Sequence, residues 1–218
     1  MKPENERREA TALAVERLKA RYPGAVCSLR ADTPFELLVA TRLSAQCTDE
    51  RVNLVTPALF ERYKTIEDFA NADVAEVEEY IHSCGFFRQK ARDIVGMANM
   101  LLSEYDGVLP DTVEELTRLP GVGRKTANLI VGDVYKKPAI VCDTHFIRIT
   151  NRLGLADTRD PQRVEVLLRD VLDPDESNDF CHRCVMFGRE VCRARSPVCS
   201  ECELDDICEY VKINGSEN

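Results

Sequence analysis

Along most of the chain, apolar residues recur three and four positions apart, the spacing that lines one face of an α-helix. Ala14-Val15-Leu18, Phe35-Leu38-Val39-Leu43 and Ile94-Met97-Ala98-Leu101 are the clearest runs. Helix boundaries punctuate them. Tyr22-Pro23-Gly24 stops the first helix, and Asp32-Thr33-Pro34 starts the second with a capping residue and a proline in the first turn. Thr65-Ile66-Glu67-Asp68 and Asn71-Ala72-Asp73 open short helices; Asp106-Gly107 closes a long one begun after Arg88, and Pro110-Asp111-Thr112 opens the next. No stretch sustains the alternation of a half-buried strand between hairpin turns. The pattern predicts an all-α protein of about ten helices joined by short loops. Only Arg195-Ser196-Pro197-Val198-Cys199 resists this description.

Composition narrows the class. A chain of 218 residues with 44% apolar residues can bury one large core or two small ones. No apolar run approaches the roughly 18 residues that span a bilayer, and Met1–Glu6 carries no apolar signal core, so a cytoplasmic protein is expected. A reducing compartment disfavours disulfides, so the 10 cysteines need another role. Six of them (Cys181, Cys184, Cys192, Cys199, Cys202, Cys208) crowd near the C-terminus, while Cys27, Cys47, Cys84 and Cys142 are scattered and read as small buried side chains. A net charge of −9 opposes a nucleic-acid partner in total but not in distribution. From Arg118 to Arg152 seven basic residues face two acids, Asp133 and Asp143, and acid collects in Glu67–Glu79 and Glu201–Glu217. A basic working face on an acidic body is compatible with that pattern.

The most informative segment is Leu119-Pro120-Gly121-Val122-Gly123-Arg124-Lys125-Thr126-Ala127-Asn128, between a short helix at Asp111–Arg118 and a helical pattern running to Val134. Two glycines two apart allow a sharp turn, and the N–H groups opening the following helix form an anion site that can hold a DNA phosphate without reading sequence. Lys125 falls in the first turn, where the positive helix end disfavours an ammonium; an amine so placed can act as a nucleophile. A bare G-x-G would more often be a plain helix–helix turn, and with no strand before it a dinucleotide loop is excluded. Further on, Val141-Cys142-Asp143-Thr144-His145-Phe146-Ile147-Arg148 places Asp143 as a helix cap, which by itself is its commoner role. The spacing Cys192-x6-Cys199-x2-Cys202-x5-Cys208 gathers four thiols that suit zinc or an iron–sulfur cluster; zinc sites usually pair two short C-x-x-C knuckles, and this set has one.

Together these motifs resemble the endonuclease III family, over nearly the whole chain from about Pro34 to Cys208. The resemblance implies two helical domains flanking a DNA groove: a barrel over 27–137 with the helix–hairpin–helix, and a cluster domain of 1–26 plus 138–218. Lys125 takes the position of the family's catalytic lysine and Asp143, eighteen residues on, that of its catalytic aspartate. Cys192, Cys199, Cys202 and Cys208 match its [4Fe–4S] loop. Leu43-Ser44-Ala45-Gln46-Cys47-Thr48-Asp49 resembles the loop whose glutamine fills the gap left by a flipped nucleotide, and Phe86 stands where relatives often carry a wedging leucine. Gly121, Val122, Gly123, Thr144, His145 and Arg148 complete the expected DNA-binding set, with Arg88, Lys90 and Arg92 suited to phosphates. In the loop after Cys192, Ser196 and Val198 occupy positions often basic in relatives. The activity implied is that of a DNA glycosylase and AP lyase for oxidised pyrimidines, working as a monomer on damaged double-stranded DNA, away from any membrane and at the nucleoid in a bacterium. An adenine glycosylase on the same fold would usually lack the lysine and add a C-terminal domain. A non-catalytic hairpin module with a zinc knuckle would not need Lys125 and Asp143 together. Cys181 and Cys184 are read as packing residues.

Overall fold

A computed structural model describes residues 1–214, and within them the chain is all-helical, with no strand. In order the helices are α1 (Glu4–Arg21), α2 (Pro34–Ser44), α3 (Asp49–Arg62), α4 (Ile66–Ala70), α5 (Val74–Ile81), α6 (Phe87–Glu104), α7 (Val113–Leu116), α8 (Arg124–Asp133), α9 (Thr144–Arg152), α10 (Pro161–Arg169), α11 (Ser177–Glu190) and α12 (Glu209–Asn214). The chain divides into two compact units: Cys27–Tyr135, and Met1–Val26 together with the chain from Lys136 onward. The break falls beside Lys136, which takes a left-handed φ of 53°. No helix is long and apolar enough to cross a membrane among the described residues.

In the first unit, polar caps fix where helices begin. Thr33 and Glu36 form a reciprocal box at the start of α2, Thr65 and Asp68 another at α4, and Thr48, Asp73 and Thr112 cap α3, α5 and α7. Each satisfies backbone N–H groups that the helix itself cannot. The apolar stripe of α6 is the spine: Ile94, Met97, Ala98 and Leu101 are all fully buried. Phe69 lies at the centre of an aromatic cluster, with ring centroids 5.4 Å from Phe35 and 5.1 Å from Tyr63. Past α6, Asp106 and Gly107 both turn left-handed and the Gly107 N–H returns to Leu101 O at 2.9 Å, which occupies a carbonyl at the helix end and stops the helix.

In the second unit, α1 is bolted down by basic side chains rather than by an apolar face alone. The buried Arg7 donates to Leu155 O at 3.0 Å and to Leu167 O. Arg17 bridges Glu203 O and the Asp206 carboxylate, Arg21 pairs with Glu203, and the Lys2 ammonium reaches Leu153 O, Ile207 O and Glu209. The N-terminal segment therefore ties down the cysteine-bearing segment from three points. Phe146 of α9 meets Phe180 of α11 edge-on, 5.9 Å between centroids, and both are fully buried.

Candidate active site and nucleic-acid interface

The hairpin lies between α7 and α8 in the Cys27–Tyr135 unit. Gly121 has φ +72°, and a Cβ there would lie 2.5 Å from Arg42 Nε and 2.6 Å from an Asp93 carboxylate oxygen. Glycine is required on both counts. Beneath the turn, Arg42 donates twice to Asp93, at 2.8 and 2.6 Å, and Gln89 donates to the other Asp93 oxygen at 2.8 Å. The hairpin thus rests on a nearly dry ion pair between α2 and α6. The Val122 side chain is buried and its N–H turns back to Leu119 O at 3.1 Å, so it holds the turn from within. Gly123 is extended and caps α8, with open space where a side chain would be; the helix N-terminus is left clear. Lys125, second residue of α8, is exposed. The half-buried Cys27 thiol nearby is pushed up to about 11, first by burial and then by Asp133 and Asp49, against which Lys125 acts.

Two other loops of this unit come together. Between α2 and α3, Cys47 N–H returns to Ser44 O at 3.1 Å, Ala45 sits at φ −59°, ψ 114°, and Gln46 at φ 54°. That is the type II turn whose third position ordinarily calls for glycine. Between α5 and α6, Phe86 is the left-handed cap of α6, with φ 58° and ψ 30°, and is 66% exposed. Phe86 is thus no core residue, whereas its neighbour Phe87 stacks at 4.6 Å on His82. A Cβ on Gly85 would lie 3.6 Å from Gln46 O, so the two loops are in contact. Gln46 and Phe86 are both exposed non-glycine residues held in a conformation costing each about 1–2 kcal/mol. Such strain concentrates where function holds a side chain in place. Lys90, expected at a phosphate, is instead buried and takes no part in the surface. Arg88 is exposed and lies 3.9 Å from Glu78.

In the other unit, Asp143 caps α9: its Oδ1 accepts from Phe146 N at 2.7 Å. Thr144 is exposed in the first turn. His145 and Arg148 face inward onto Gly188 of α11, where a Cβ would lie 2.5 Å from His145 Nδ1. Arg148 donates to Gly188 O at 2.9 Å and to Cys192 O at 3.0 Å, and its Nη2 lies 3.1 Å from His145 Nδ1. Burial holds the His145 pKa below its usual 6.5; Asp143 opposes this, and Arg148 and Arg189 reinforce it. Arg152, which the motif reading passed over, donates to Cys192 Sγ at 3.2 Å, Arg193 O at 2.8 Å and Ala194 O at 3.2 Å. Its place one turn after Arg148 on the same helix face was the available signal.

Among the described residues, no three His, Cys, Asp or Glu side chains stand in the tight array that would ligate one ion. The four cysteine thiols of the loop are neighbours all the same. Burial pushes Cys202 up to about 12, countered by a Leu204 backbone hydrogen bond and reinforced by Cys192, Cys208 and Cys199. Cys208 is likewise raised by burial. An all-sulfur donor set with a guanidinium on its first member suits a soft, positively charged centre that stabilises thiolates. Cys181 and Cys184 are buried in α11, and the Cys181 sulfur lies 3.3 Å from the Val141 N–H that it accepts.

Known proteins match this arrangement. Residues 39–174 fit the model of the HhH-GPD superfamily of base excision DNA repair proteins. Endonuclease III of Synechocystis sp. is 49% identical over 192 residues, 88% of each chain, and that of Bacillus subtilis is 42% identical over 196 residues, 89% of each. The solved structure of a trapped covalent intermediate between an endonuclease III and DNA superposes with a TM-score of 0.89 at 40% identity, over 94% of this chain and 97% of that one. A thermostable thymine-DNA glycosylase shares the fold at 21% identity and a TM-score of 0.85. The chain belongs to the endonuclease III family of helix–hairpin–helix base excision DNA repair proteins, the DNA glycosylases that also cleave at abasic sites.

Proposed function

We propose that the chain removes oxidised pyrimidines from duplex DNA and cuts the resulting abasic strand, with Lys125 as nucleophile. The observation that carries this reading is an exposed lysine in the first turn of α8, directly behind a glycine hairpin that leaves the helix N-terminus open to a phosphate. Lys125 Nζ attacks C1′ of a flipped nucleotide, the C1′–N bond breaks and the base leaves. The amine loses a proton, for which the Asp143 carboxylate is the acceptor, and that carboxylate also stabilises positive charge at C1′ as the bond breaks. The C1′–O4′ bond then opens, O4′ taking the proton that Asp143 accepted, and the resulting Schiff base acidifies the C2′ proton so that β-elimination expels the 3′ phosphate. Gln46 fills the vacated stack and Phe86 wedges beside it. The monomer meets damaged double-stranded DNA through these loops, the hairpin and Thr144.

The residues fitted to hold a [4Fe–4S] cluster are Cys192, Cys199, Cys202 and Cys208. When bound, the cluster supplies a cross-link for the loop and no redox step that the chemistry above requires. His145, Arg148 and Arg152 serve this unit from beneath, orienting α9 and the Cys192 segment.

Borohydride trapping tests the assignment. Lys125→Gln keeps a long polar side chain and the hairpin amides, so DNA binding should persist while the covalent adduct disappears. Asp143→Asn preserves a good helix cap and leaves stability nearly unchanged. Base excision should then fall by two or more orders of magnitude, on the order of losing one charge-stabilising group, while some cleavage of ready-made abasic DNA survives. A trapped adduct formed by Lys125→Gln at the unaltered rate would mean that another amine is the nucleophile.

A further inference from the structure

Lys90 is the least expected charge in the molecule. It is 1% exposed, and among the described residues it has no carboxylate partner. Its ammonium donates to Leu43 O at 2.8 Å. Burial lowers its pKa, and the titratable groups that face it are the Cys84 and Cys47 thiols and the Arg42 guanidinium. A buried charge with one carbonyl acceptor is costly and adds little stability by itself.

Its position accounts for the cost. Leu43 is in the last turn of α2, where carbonyls lack helical partners, and a cation there is favoured by the helix dipole. Three residues later comes Gln46. The backbone N–H of the same lysine donates to Phe86 O at 3.1 Å, closing the first turn of α6 on its left-handed cap. One residue thus fastens both strained loops, through its side chain to one and its main chain to the other. The Cys84 and Cys47 thiols lie beside one another next to the Lys90 ammonium.

We infer that Lys90 is a positioning residue for base extrusion, its buried ammonium fixing the α2 end so that Gln46 and Phe86 are presented together to the DNA. This rests on the reading of Gln46 and Phe86 given above. Lys90 touches no DNA itself and acts through those two side chains.

The test uses the whole iron-loaded protein and Lys90→Met, which keeps the stem and removes the donor. Two substrates are compared: duplex DNA with an oxidised pyrimidine flanked by 2-aminopurine, and single-stranded DNA with a ready-made abasic site, which needs no extrusion. Lys90→Met should lower duplex excision at least tenfold and the 2-aminopurine unstacking amplitude with it. Cleavage of the single-stranded abasic site should stay within threefold, and the melting temperature should hold or rise. Lys90→Gln, which keeps a shorter donor, should recover part of the loss, and it carries the same comparison should the methionine variant fold poorly. Equal losses on both substrates, or an unchanged unstacking amplitude, would overturn the inference. The proposed roles of Gln46 and Phe86 fail separately: if their alanine variants leave the amplitude intact, the fault lies there and not with Lys90.

Discussion

The two units hold their candidate residues in opposite ways. In Cys27–Tyr135, Gln46 and Phe86 stand out on exposed turns with φ of 54° and 58°, and Lys125 projects from the open end of α8. In the unit carrying α9, the polar groups are committed inward: Asp143 to Phe146 N, Arg148 to Gly188 O and Cys192 O, Arg152 to Cys192 Sγ and the two carbonyls after it. One region stores backbone strain to hold side chains away from the protein. The other uses charge-assisted hydrogen bonds to keep one carboxylate and one cysteine loop still. A chain that must distort a flexible polymer and then act on a single bond has use for both.

The largest effect that would break this contrast is at the cysteines. On the proposed cluster ligation, Cys202→Ser should lose most of the iron that the parent carries and the order of the loop, with unfolding of the α9 unit well below the melting temperature of the parent and activity near zero. Iron content per chain and thermal melts followed by circular dichroism measure it. A variant without iron that melts normally would show that α1, α9 and α11 hold the unit by themselves.

The next effect sharpens the contrast directly. Arg148→Ala leaves two part-buried carbonyls, of Gly188 and Cys192, unpaired and should destabilise by about 1–3 kcal/mol, read from denaturant midpoints. Gln46→Gly and Phe86→Gly remove strain of about 1–2 kcal/mol each, offset by roughly 0.5–1 kcal/mol of added unfolded-chain entropy. Their stability should hold or rise slightly. Duplex excision by the same glycine variants should nevertheless fall about tenfold or more, because unstacking help of a few kcal/mol is lost. Glycine variants that melt early, or an Arg148→Ala that melts normally, would erase the distinction between strained and anchored regions.

Much of this architecture could be read from local pattern. Thr33, Thr65, Asp73 and Thr112 cap helices where polar residues preceded apolar periodicity, and Asp106-Gly107 stops α6 as the turn signal required. The hairpin was legible from the whole string Leu119–Asn128, whereas its two glycines alone would have read as a plain helix–helix turn. What sequence could not show is direction. Phe86 and Phe87 are indistinguishable by composition, yet one is exposed and the other stacks on His82. Lys90 reads as a surface base within Arg88-Gln89-Lys90-Ala91-Arg92, but helical geometry turns it inward one turn after Phe86, on the side of the buried Ala91 and Ile94. The same holds for Arg42 and Asp93, whose pairing spans 51 positions and supports Gly121. Long-range polar contacts of this kind leave no periodic trace.

The smallest effect concerns pH. His145 is half-buried, and its burial outweighs the attraction of Asp143, so its folded pKa lies below 6.5. As pH falls through that value, the unfolded chain takes up a proton that the folded chain still refuses, and stability is lost with falling pH until the folded pKa is reached. Well above pH 6.5 both forms are neutral and the histidine contributes no slope. His145→Gln has no proton to gain, so its denaturant midpoint should decline less between pH 7 and pH 5.5 than that of the parent. Arg148 and Arg189 remain in both proteins, and their charge is constant over this range. The difference between the two slopes therefore isolates the imidazole. Parallel slopes would mean that His145 protonates as easily in the folded chain as in the unfolded one, and that the contact with Gly188 and Arg148 is loose enough to admit water. The anchored description of α9 would then have to give way to one in which the face of this helix against Gly188 is open to solvent.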